Sequence, residues 1–246
     1  MAVKDYLRER FFPHMWCPGC GHGTILNSLI RAIEELELNK NEIVMTSGIG
    51  CSARISGYVD FHSLHTLHGR ALAFATGVKL SRPHLNVLVP MGDGDALAIG
   101  GNHFIHAARR NIDITAIVMN NRIYGMTGGQ FSPLSGPGVK APTAPYLKID
   151  SNFDVVEHAK AAGATFVASS TAYYAKESTG YLKKAIEHEG VSVGEMLSQG
   201  PNHYGIKNKE GDAVSMLNLQ KTKPAPLGSK AVQENSSLIA RGIFVD

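Results

Sequence analysis

Strand-forming and apolar residues occur along the chain in two alternating patterns. Short continuous runs at Ile43 to Thr46, Asn86 to Pro90 and Ile114 to Met119 have the length of buried strands. Apolar positions at helical spacing over Gly23 to Leu36 and Ala71 to Leu80 predict amphipathic helices. Strands that alternate with helices indicate an α/β protein with a mainly parallel sheet and helices on both faces.

The alternation continues through the second half of the chain. Two further helices and two further strands are predicted, over Phe153 to Ala162, Thr165 to Ala168, Lys176 to Glu189 and Val191 to Leu197. Between the halves, Ile123 to Tyr146 is rich in Gly, Pro, Ser and Thr, and loops of this length are usually functional. After Gly200 the chain becomes polar and rich in lysine, which predicts an extended tail that wraps a partner or stays mobile. We therefore expect a main domain over residues 1–198 and a C-terminal extension over residues 199–246.

Two turns lie at the ends of neighbouring predicted strands. Gly92-Asp93-Gly94 follows one strand, and Asn120-Asn121 follows the next strand along the chain. Open α/β sheets bind ligands at the carboxyl ends of successive strands. A carboxylate and a carboxamide oxygen beside free backbone amides at a helix start suit a hard cation that holds phosphates.

Composition narrows the class of function. The 246 residues carry a net charge of +3 and no basic stripe interleaved with aromatics, so no nucleic-acid role is expected. No apolar run approaches the ~20 residues of a transmembrane helix, and the N-terminus is too charged for a signal peptide, which predicts a cytoplasmic protein without a membrane role. Three cysteines are too few for a disulfide scaffold, so they are expected to be free, catalytic or metal-bound.

The GDG turn, followed by residues 95–119 and then Asn120-Asn121, resembles the thiamine-diphosphate (TPP) signature of TPP-dependent enzymes. Four further motifs occur in the order seen in the β subunits of 2-oxoacid:ferredoxin oxidoreductases, and the 2-oxoglutarate type is most similar. These motifs are WCPGCGHG, SGIGCSAR, LHGRALAFATG and IYGMTGGQ. The resemblance covers roughly Met15 to Gly205 and implies a TPP-binding α/β domain with a C-terminal extension.

By this resemblance, Mg²⁺ is held by Asp93, Asn121 and the backbone carbonyl of Ile123, with diphosphate oxygens and water completing six ligands. An Asp that bonds its own turn backbone is the alternative when the residues are considered alone. The positions that correspond to cofactor-binding residues of the family are Ile49, Gly50, Cys51, Ser52, His68, Gly69, Gly94, Asp95, Gly125, Met126 and Thr127.

Cys17 and Cys20 have the CxxC spacing of several kinds of site. From the spacing alone, a redox dithiol, a zinc pair, a cluster site or simple packing all stay open. The resemblance implies a [4Fe–4S] cluster with four cysteine ligands, of which three correspond to Cys17, Cys20 and Cys51. The fourth corresponds to Gly200, and glycine cannot ligate iron.

This departure leaves several alternatives for the cysteines. The fourth cluster ligand could be Asn202 or His203, or the cluster could be three-iron, labile or lost. Zinc bound by three cysteines and one histidine, His22 or His203, is a further alternative.

Two other residues have roles implied by the resemblance. Arg54 corresponds to a basic residue that faces the substrate carboxylate, and a fixed guanidinium suits that partner. The alternative for Arg54 is a solvated surface charge. His68 corresponds to a histidine beside the cofactor thiazolium, where it could move protons.

The resemblance implies TPP-dependent oxidative decarboxylation of a 2-oxoacid, 2-oxoglutarate being the expected substrate, with the acyl group passing to coenzyme A and electrons to ferredoxin. In the family, the Glu that activates the aminopyrimidine comes from an α-type subunit. The chain is therefore expected to be the β subunit of a heteromer and inactive alone. A non-oxidative TPP-dependent 2-oxoacid decarboxylase or acetolactate-type subunit is one alternative, and a non-catalytic metal-binding or assembly subunit is another.

Overall fold

A computed structural model describes residues 2–235 and 238–246. The helices are α1 (His22–Glu35), α2 (Ile55–Tyr58), α3 (Ala71–Ser81), α4 (Asp93–Leu97), α5 (Gly101–Arg109), α6 (Val155–Ala162), α7 (Ala175–Glu187), α8 (Ile206–Asn208), α9 (Ala213–Thr222) and α10 (Lys230–Glu234). The strands are β1 (Ile43–Ser47), β2 (His62–His65), β3 (Asn86–Gly92), β4 (Thr115–Asn120), β5 (Ile123–Tyr124), β6 (Gln130–Phe131), β7 (Phe166–Thr171), β8 (Ser192–Leu197), β9 (Pro224–Pro226) and β10 (Ile239–Val245).

The described strands form one large sheet in the order β2-β1-β3-β4-β8-β7-β10-β9 and a small β5-β6 hairpin. Strands β2, β1, β3, β4, β8 and β7 are all parallel, whereas β10 joins β7 in the antiparallel direction. The central strands β1, β4, β7 and β8 are buried along their whole length, as expected for parallel strands covered on both faces.

Helices cover both faces of this sheet. Helices α1 and α7 pack on one face, where Leu29 and Leu182 are completely buried. Helices α3, α5 and α6 pack on the other face, where Phe104 and Val156 join the apolar side chains of β3 and β4. The predicted fold class is confirmed, since a mainly parallel α/β sheet with two covered faces is what the hydrophobic pattern indicated.

The position of β1 determines where the sheet opens. The connection after β1 runs to β2 on one side, whereas the connection after the neighbouring strand β3 runs to β4 on the other side. Parallel α/β sheets form a crevice outside the carboxyl ends of the strands at such a reversal. The turns after β1, β3 and β4 meet at this edge.

Three details differ from the expectations. The helix expected to start at the GDG turn is divided into α4 and α5, with residues 98–100 between them, and a Cβ built at Gly100 would lie 2.2 Å from the Asp95 carbonyl oxygen, so this close approach requires glycine. Strand β2 was missed because its residues, HSLH, are largely exposed at the sheet edge and lack an apolar run.

The C-terminal segment is the third difference. The prediction of an extended tail without further strands was wrong, because β10 pairs with β7 and extends the sheet. The division at residues 198 and 199 stays a prediction. Among the described residues, no helix is both long and apolar enough to cross a membrane.

Candidate functional site

Asp93 is the first residue after β3 and is 2% exposed. Ser132, from the loop that follows β6, donates a short hydrogen bond to Asp93 Oδ2. Burial raises the pKa of the Asp93 carboxyl from 3.8 to about 6, and the Ser132 hydroxyl and the Gly94 amide oppose this rise. A buried carboxylate with this pKa at a strand end is suited to a cation, which would offset the cost of its burial.

Asn121 directly follows β4. Asn121 and Asp93 line the same cavity, which has a volume of about 260 Å³. Because β3 and β4 are parallel neighbours, their carboxyl ends bring the two side chains to one edge. Asn121 Oδ1 accepts the backbone N–H of Ile123 at 3.3 Å, and Ile123 also lines the cavity. The Asp93 carboxylate and the Asn121 carboxamide oxygen give this cavity an oxygen-rich side, to which the Ile123 backbone is adjacent. We call it the cofactor cavity.

Asp95 connects the cofactor cavity to two neighbouring segments. Its Oδ1 accepts the backbone N–H of Gly69 at 2.6 Å and lies 2.8 Å from His68 Nδ1. The Ile49 backbone N–H reaches the same oxygen at 3.4 Å. An ionised carboxylate can only accept, so His68 donates from Nδ1 and keeps Nε2 able to take a proton. Asp95 therefore orients the histidine beside the cavity.

The cofactor cavity collects most of the residues that the sequence implied. These are Ile49, Gly50, Cys51, Ser52, His68, Asp93, Gly94, Asp95, Asn121, Ile123, Gly125, Met126 and Thr127. Gly69 does not line it, but its backbone N–H donates to Asp95, which does. His22, Gly92, Met119 and Tyr124 line it without having been assigned there. The sequence signal that could have assigned His22 and Tyr124 to this cavity is their position within the motifs WCPGCGHG and IYGMTGGQ.

Some polar atoms of the residues that line the cofactor cavity have no hydrogen-bond partner. These atoms indicate which kind of polar ligand the cavity fits. Asp95 Oδ2 and Ser52 Oγ are buried and have no hydrogen-bond partner within the described chain. Tyr124 lies over Gly94 so closely that a side chain at this glycine would meet its ring at 2.2 Å. The unpaired Ser52 hydroxyl can donate to a phosphate oxygen, and the unpaired Asp95 oxygen requires a donor or a cation, so the cavity fits a ligand that brings both, such as a diphosphate with its cation.

The three cysteines line a second cavity, also about 260 Å³, which we call the cysteine cavity. Burial raises the pKa of the Cys20 thiol to about 11, with smaller contributions from Cys51 and Cys17. Burial also raises the pKa of Cys51, and the charge of Cys17 adds to the rise. Among the described residues, no three His, Cys, Asp or Glu side chains are grouped around a single-ion position. The thiols therefore surround a volume rather than a point.

The two cavities share a wall. Cys51, Asn121, Ile123, Gly125 and Met126 line both of them. A cofactor in one cavity and a metal group in the other would thus be separated by single residues. This adjacency suits the transfer of electrons from a reacting cofactor.

Arg54 and His22 each line a different one of the two cavities. Arg54 lines the cysteine cavity and not the cofactor cavity, and its charge lowers the pKa of Cys51 against the effect of burial. His22 is buried, its Nδ1 lies 2.8 Å from Ser198 Oγ, and burial lowers its pKa to about 4. His22 is therefore a neutral hydrogen-bonding group near Cys20 at neutral pH.

The buried Asp93 carboxyl predicts a pH dependence of stability in the cofactor-free protein. Its raised pKa contributes stability that is complete below about pH 4 and is lost as the pH rises through about 6. Asp93→Asn lacks this group, so its free energy of unfolding should exceed that of the unmodified chain by an amount that grows over this window. The slope is on the order of 1.4 kcal/mol per pH unit. Urea titrations of both proteins from pH 4 to 8 measure it, and a constant difference would contradict the assignment.

Comparisons with known proteins found similarity over most of this chain. Residues 48–196 match the family model described as "Thiamine pyrophosphate enzyme, C-terminal TPP binding domain". The 2-oxoglutarate synthase subunit KorB of Archaeoglobus fulgidus is 53% identical over 82% of this chain and 76% of its own length. The subunit of the same name from Methanocaldococcus jannaschii is 45% identical over 100% of this chain and 92% of its own length.

A solved structure extends the similarity to three dimensions. The 2-oxoglutarate:ferredoxin oxidoreductase from Magnetococcus marinus, determined with 2-oxoglutarate, coenzyme A and succinyl-CoA bound, superposes with a TM-score of 0.90. The identity is 36%, and the alignment covers 100% of this chain and 85% of the other. The similarity therefore includes the C-terminal segment as well as the sheet.

Proposed function

Since the chain belongs to the family of β subunits of 2-oxoacid:ferredoxin oxidoreductases, of the 2-oxoglutarate synthase type, we propose a function on that premise. The chain binds thiamine diphosphate and, with an α subunit, converts 2-oxoglutarate and coenzyme A into the acyl-CoA product by oxidative decarboxylation. The observation that carries this assignment is the cofactor cavity between the ends of β3 and β4, where Asp93 and Asn121 meet.

Bound TPP supplies the carbanion chemistry that removes CO₂ from the 2-oxoacid. Asp93, Asn121 and the Ile123 carbonyl would hold Mg²⁺, and the Gly94 backbone with Gly125 and Thr127 would surround the diphosphate. His68 would accept or donate a proton at Nε2, because its Nδ1 is held by Asp95. Tyr124, packed on Gly94, would exclude water from that side of the cavity.

The remaining parts of the reaction require a second subunit. Ile49 and Met126 line the cofactor cavity yet are 41% and 43% exposed, so part of its rim is uncovered in the isolated chain. Among the described residues, Asp93 and Asp95 are the carboxylates that line the cavity; Asp93 is the proposed cation ligand, and Oδ1 of Asp95 is held by Gly69 and His68. An α-type subunit would cover the exposed rim and supply the Glu that contacts the aminopyrimidine.

The cysteine cavity would hold an iron–sulfur cluster, and ferredoxin would be the electron acceptor of the complex. Two observations support this part of the proposal. Three thiols surround one volume, and that volume shares a wall with the cofactor cavity. The similarity to 2-oxoglutarate oxidoreductases does not favour the non-oxidative decarboxylase alternative.

The function is tested with the anaerobically purified αβ complex. Reduction of a viologen dye should require 2-oxoglutarate, coenzyme A and TPP together. The oxidative reaction couples acyl-CoA formation to dye reduction, whereas a non-oxidative enzyme would release CO₂ without either. Release of CO₂ that neither reduces the dye nor consumes coenzyme A would overturn the proposal.

Arg54 is proposed to face the distal carboxylate of the substrate. Arg54→Ala should raise KM for 2-oxoglutarate more than for pyruvate, because a hydrogen bond to a charged group contributes about 1.5–3 kcal/mol. Steady-state kinetics of the αβ complex with both substrates measure the difference. Arg82→Ala, at the end of α3 and exposed, is the matched control and should change neither KM. Equal effects of Arg54→Ala on both substrates would remove Arg54 from this role.

A further inference from the structure

We propose that the cysteine cavity holds its cluster through three thiolates and that the fourth iron carries a solvent water or hydroxide instead of a protein side chain. This fourth position is then an exchangeable site, and the iron there can be removed and replaced. The inference rests on the proposed function for the presence of the cluster and goes beyond it in the coordination of one iron.

The first observation is the number of cysteines that the chain can offer to a cluster. The 246 residues contain three cysteines, and all three line the cysteine cavity. Because the three thiols line one cavity of about 260 Å³, they belong to one site. Three irons of a four-iron cluster therefore have a thiolate in this chain, and the fourth does not.

Gly200 is the second observation. It lies in the wall of the cysteine cavity, in the turn that follows β8. A Cβ atom built at Gly200 would lie 3.8 Å from the Asn121 carbonyl oxygen, which is ordinary van der Waals contact. Its φ of −115° and ψ of 82° do not require glycine. The backbone therefore leaves room for a side chain at position 200. A ligand is missing at this position because the residue there is glycine.

The residues near Gly200 do not supply the fourth ligand in its stead. Asn202 is exposed at the rim of the cavity, and carboxamides are poor ligands for iron in a sulfide cluster. His203 lines the cavity, but its side chain packs on Gly129 of the β5–β6 turn, where an added Cβ would lie 2.9 Å from His203 Cβ. Met15, another wall residue, is 66% exposed, so solvent reaches the cavity in the isolated chain.

This coordination predicts a defined redox behaviour. One-electron oxidation of a four-iron cluster with an open corner releases one ferrous ion and leaves a [3Fe–4S] cluster. Ferricyanide takes the electron in the experiment, and dithionite with ferrous ion returns the electron and the iron. A cluster with four thiolates resists this loss because the fourth iron is held by the chain.

The test uses the anaerobically reconstituted αβ complex. Iron and sulfide assays and low-temperature EPR are recorded before and after ferricyanide treatment. We expect the unmodified complex to lose one iron per cluster and to show the three-iron EPR signal, and added ferrous ion with dithionite to restore the original state. Gly200→Cys should keep all of its iron. Gly200→Ala, which adds the same Cβ without a thiol, should lose iron like the unmodified complex.

Two further measurements separate the alternatives. His203→Ala should leave the iron content and the EPR signals unchanged, and loss of the cluster in this variant would overturn the proposal in favour of a histidine ligand. Retention of all the iron by the unmodified complex after oxidation would also overturn it, as would the absence of iron and sulfide from both the unmodified complex and Gly200→Cys. TPP binding in the same samples, measured by calorimetry, reports separately on the proposed function.

Discussion

Asp93→Ala is expected to abolish Mg²⁺-dependent binding of TPP while leaving the fold intact. The carboxylate of Asp93 is the acidic ligand proposed for the cation, and it lines the cofactor cavity with 2% of its surface exposed. Loss of even an outer-shell partner costs 10–100-fold in metal affinity, so loss of a direct ligand should weaken TPP binding by at least about 100-fold. Isothermal titration calorimetry with TPP in the presence and absence of Mg²⁺ measures this effect.

The matched control for this variant is Asp113→Ala. Asp113 precedes β4 at the amino ends of the parallel strands, where it pairs with Lys79 at 2.6 Å and accepts the backbone N–H of Gly190 at 3.1 Å. Its removal should leave TPP affinity unchanged, because Asp113 does not line the cofactor cavity. Circular dichroism of both variants confirms the fold. An unchanged TPP affinity in Asp93→Ala would refute the assignment of the cofactor cavity.

The chain expressed alone is expected to show no 2-oxoacid-dependent reduction of a viologen dye, and addition of the α subunit should restore it. The rim of the cofactor cavity is uncovered at Ile49 and Met126, and of the carboxylates that line it within the described chain, Asp93 is the proposed cation ligand and Asp95 holds Gly69 and His68 through Oδ1. TPP chemistry needs both a carboxylate on the aminopyrimidine and walls that exclude water. We expect dye reduction to rise from the background rate to the full rate when the α subunit is added.

The isolated chain must be shown to be competent before this result is interpreted. TPP binding to the lone chain, even if weaker than in the complex, shows that its half of the cofactor site is formed. Complexes reconstituted with the Asp93→Ala chain should stay inactive, which tests whether the restored activity depends on this cavity. Full activity of the purified lone chain would overturn the two-subunit interpretation.

The sequence by itself determined the fold class and the location of the cofactor cavity. Continuous apolar runs become buried parallel strands for a physical reason, since a strand covered on both faces must be apolar throughout. The positions of Asp93 and Asn121 followed, because polar residues directly after parallel strands reach the same sheet edge. The motif resemblance then implied most of the residues that surround this cavity.

Only the tertiary structure decided which distant groups act together. Ser132 reaches Asp93 from a loop without periodicity, and Asp95 is bonded to Gly69 and His68, from a segment earlier in the chain. Strand β10 joins the sheet through backbone hydrogen bonds to β7, which the polar, lysine-rich composition of this segment did not indicate. The motif resemblance had assigned Gly200 to the cysteine site, and the structure added that the backbone there leaves room for a side chain, because this depends on how the turn after β8 packs on Asn121.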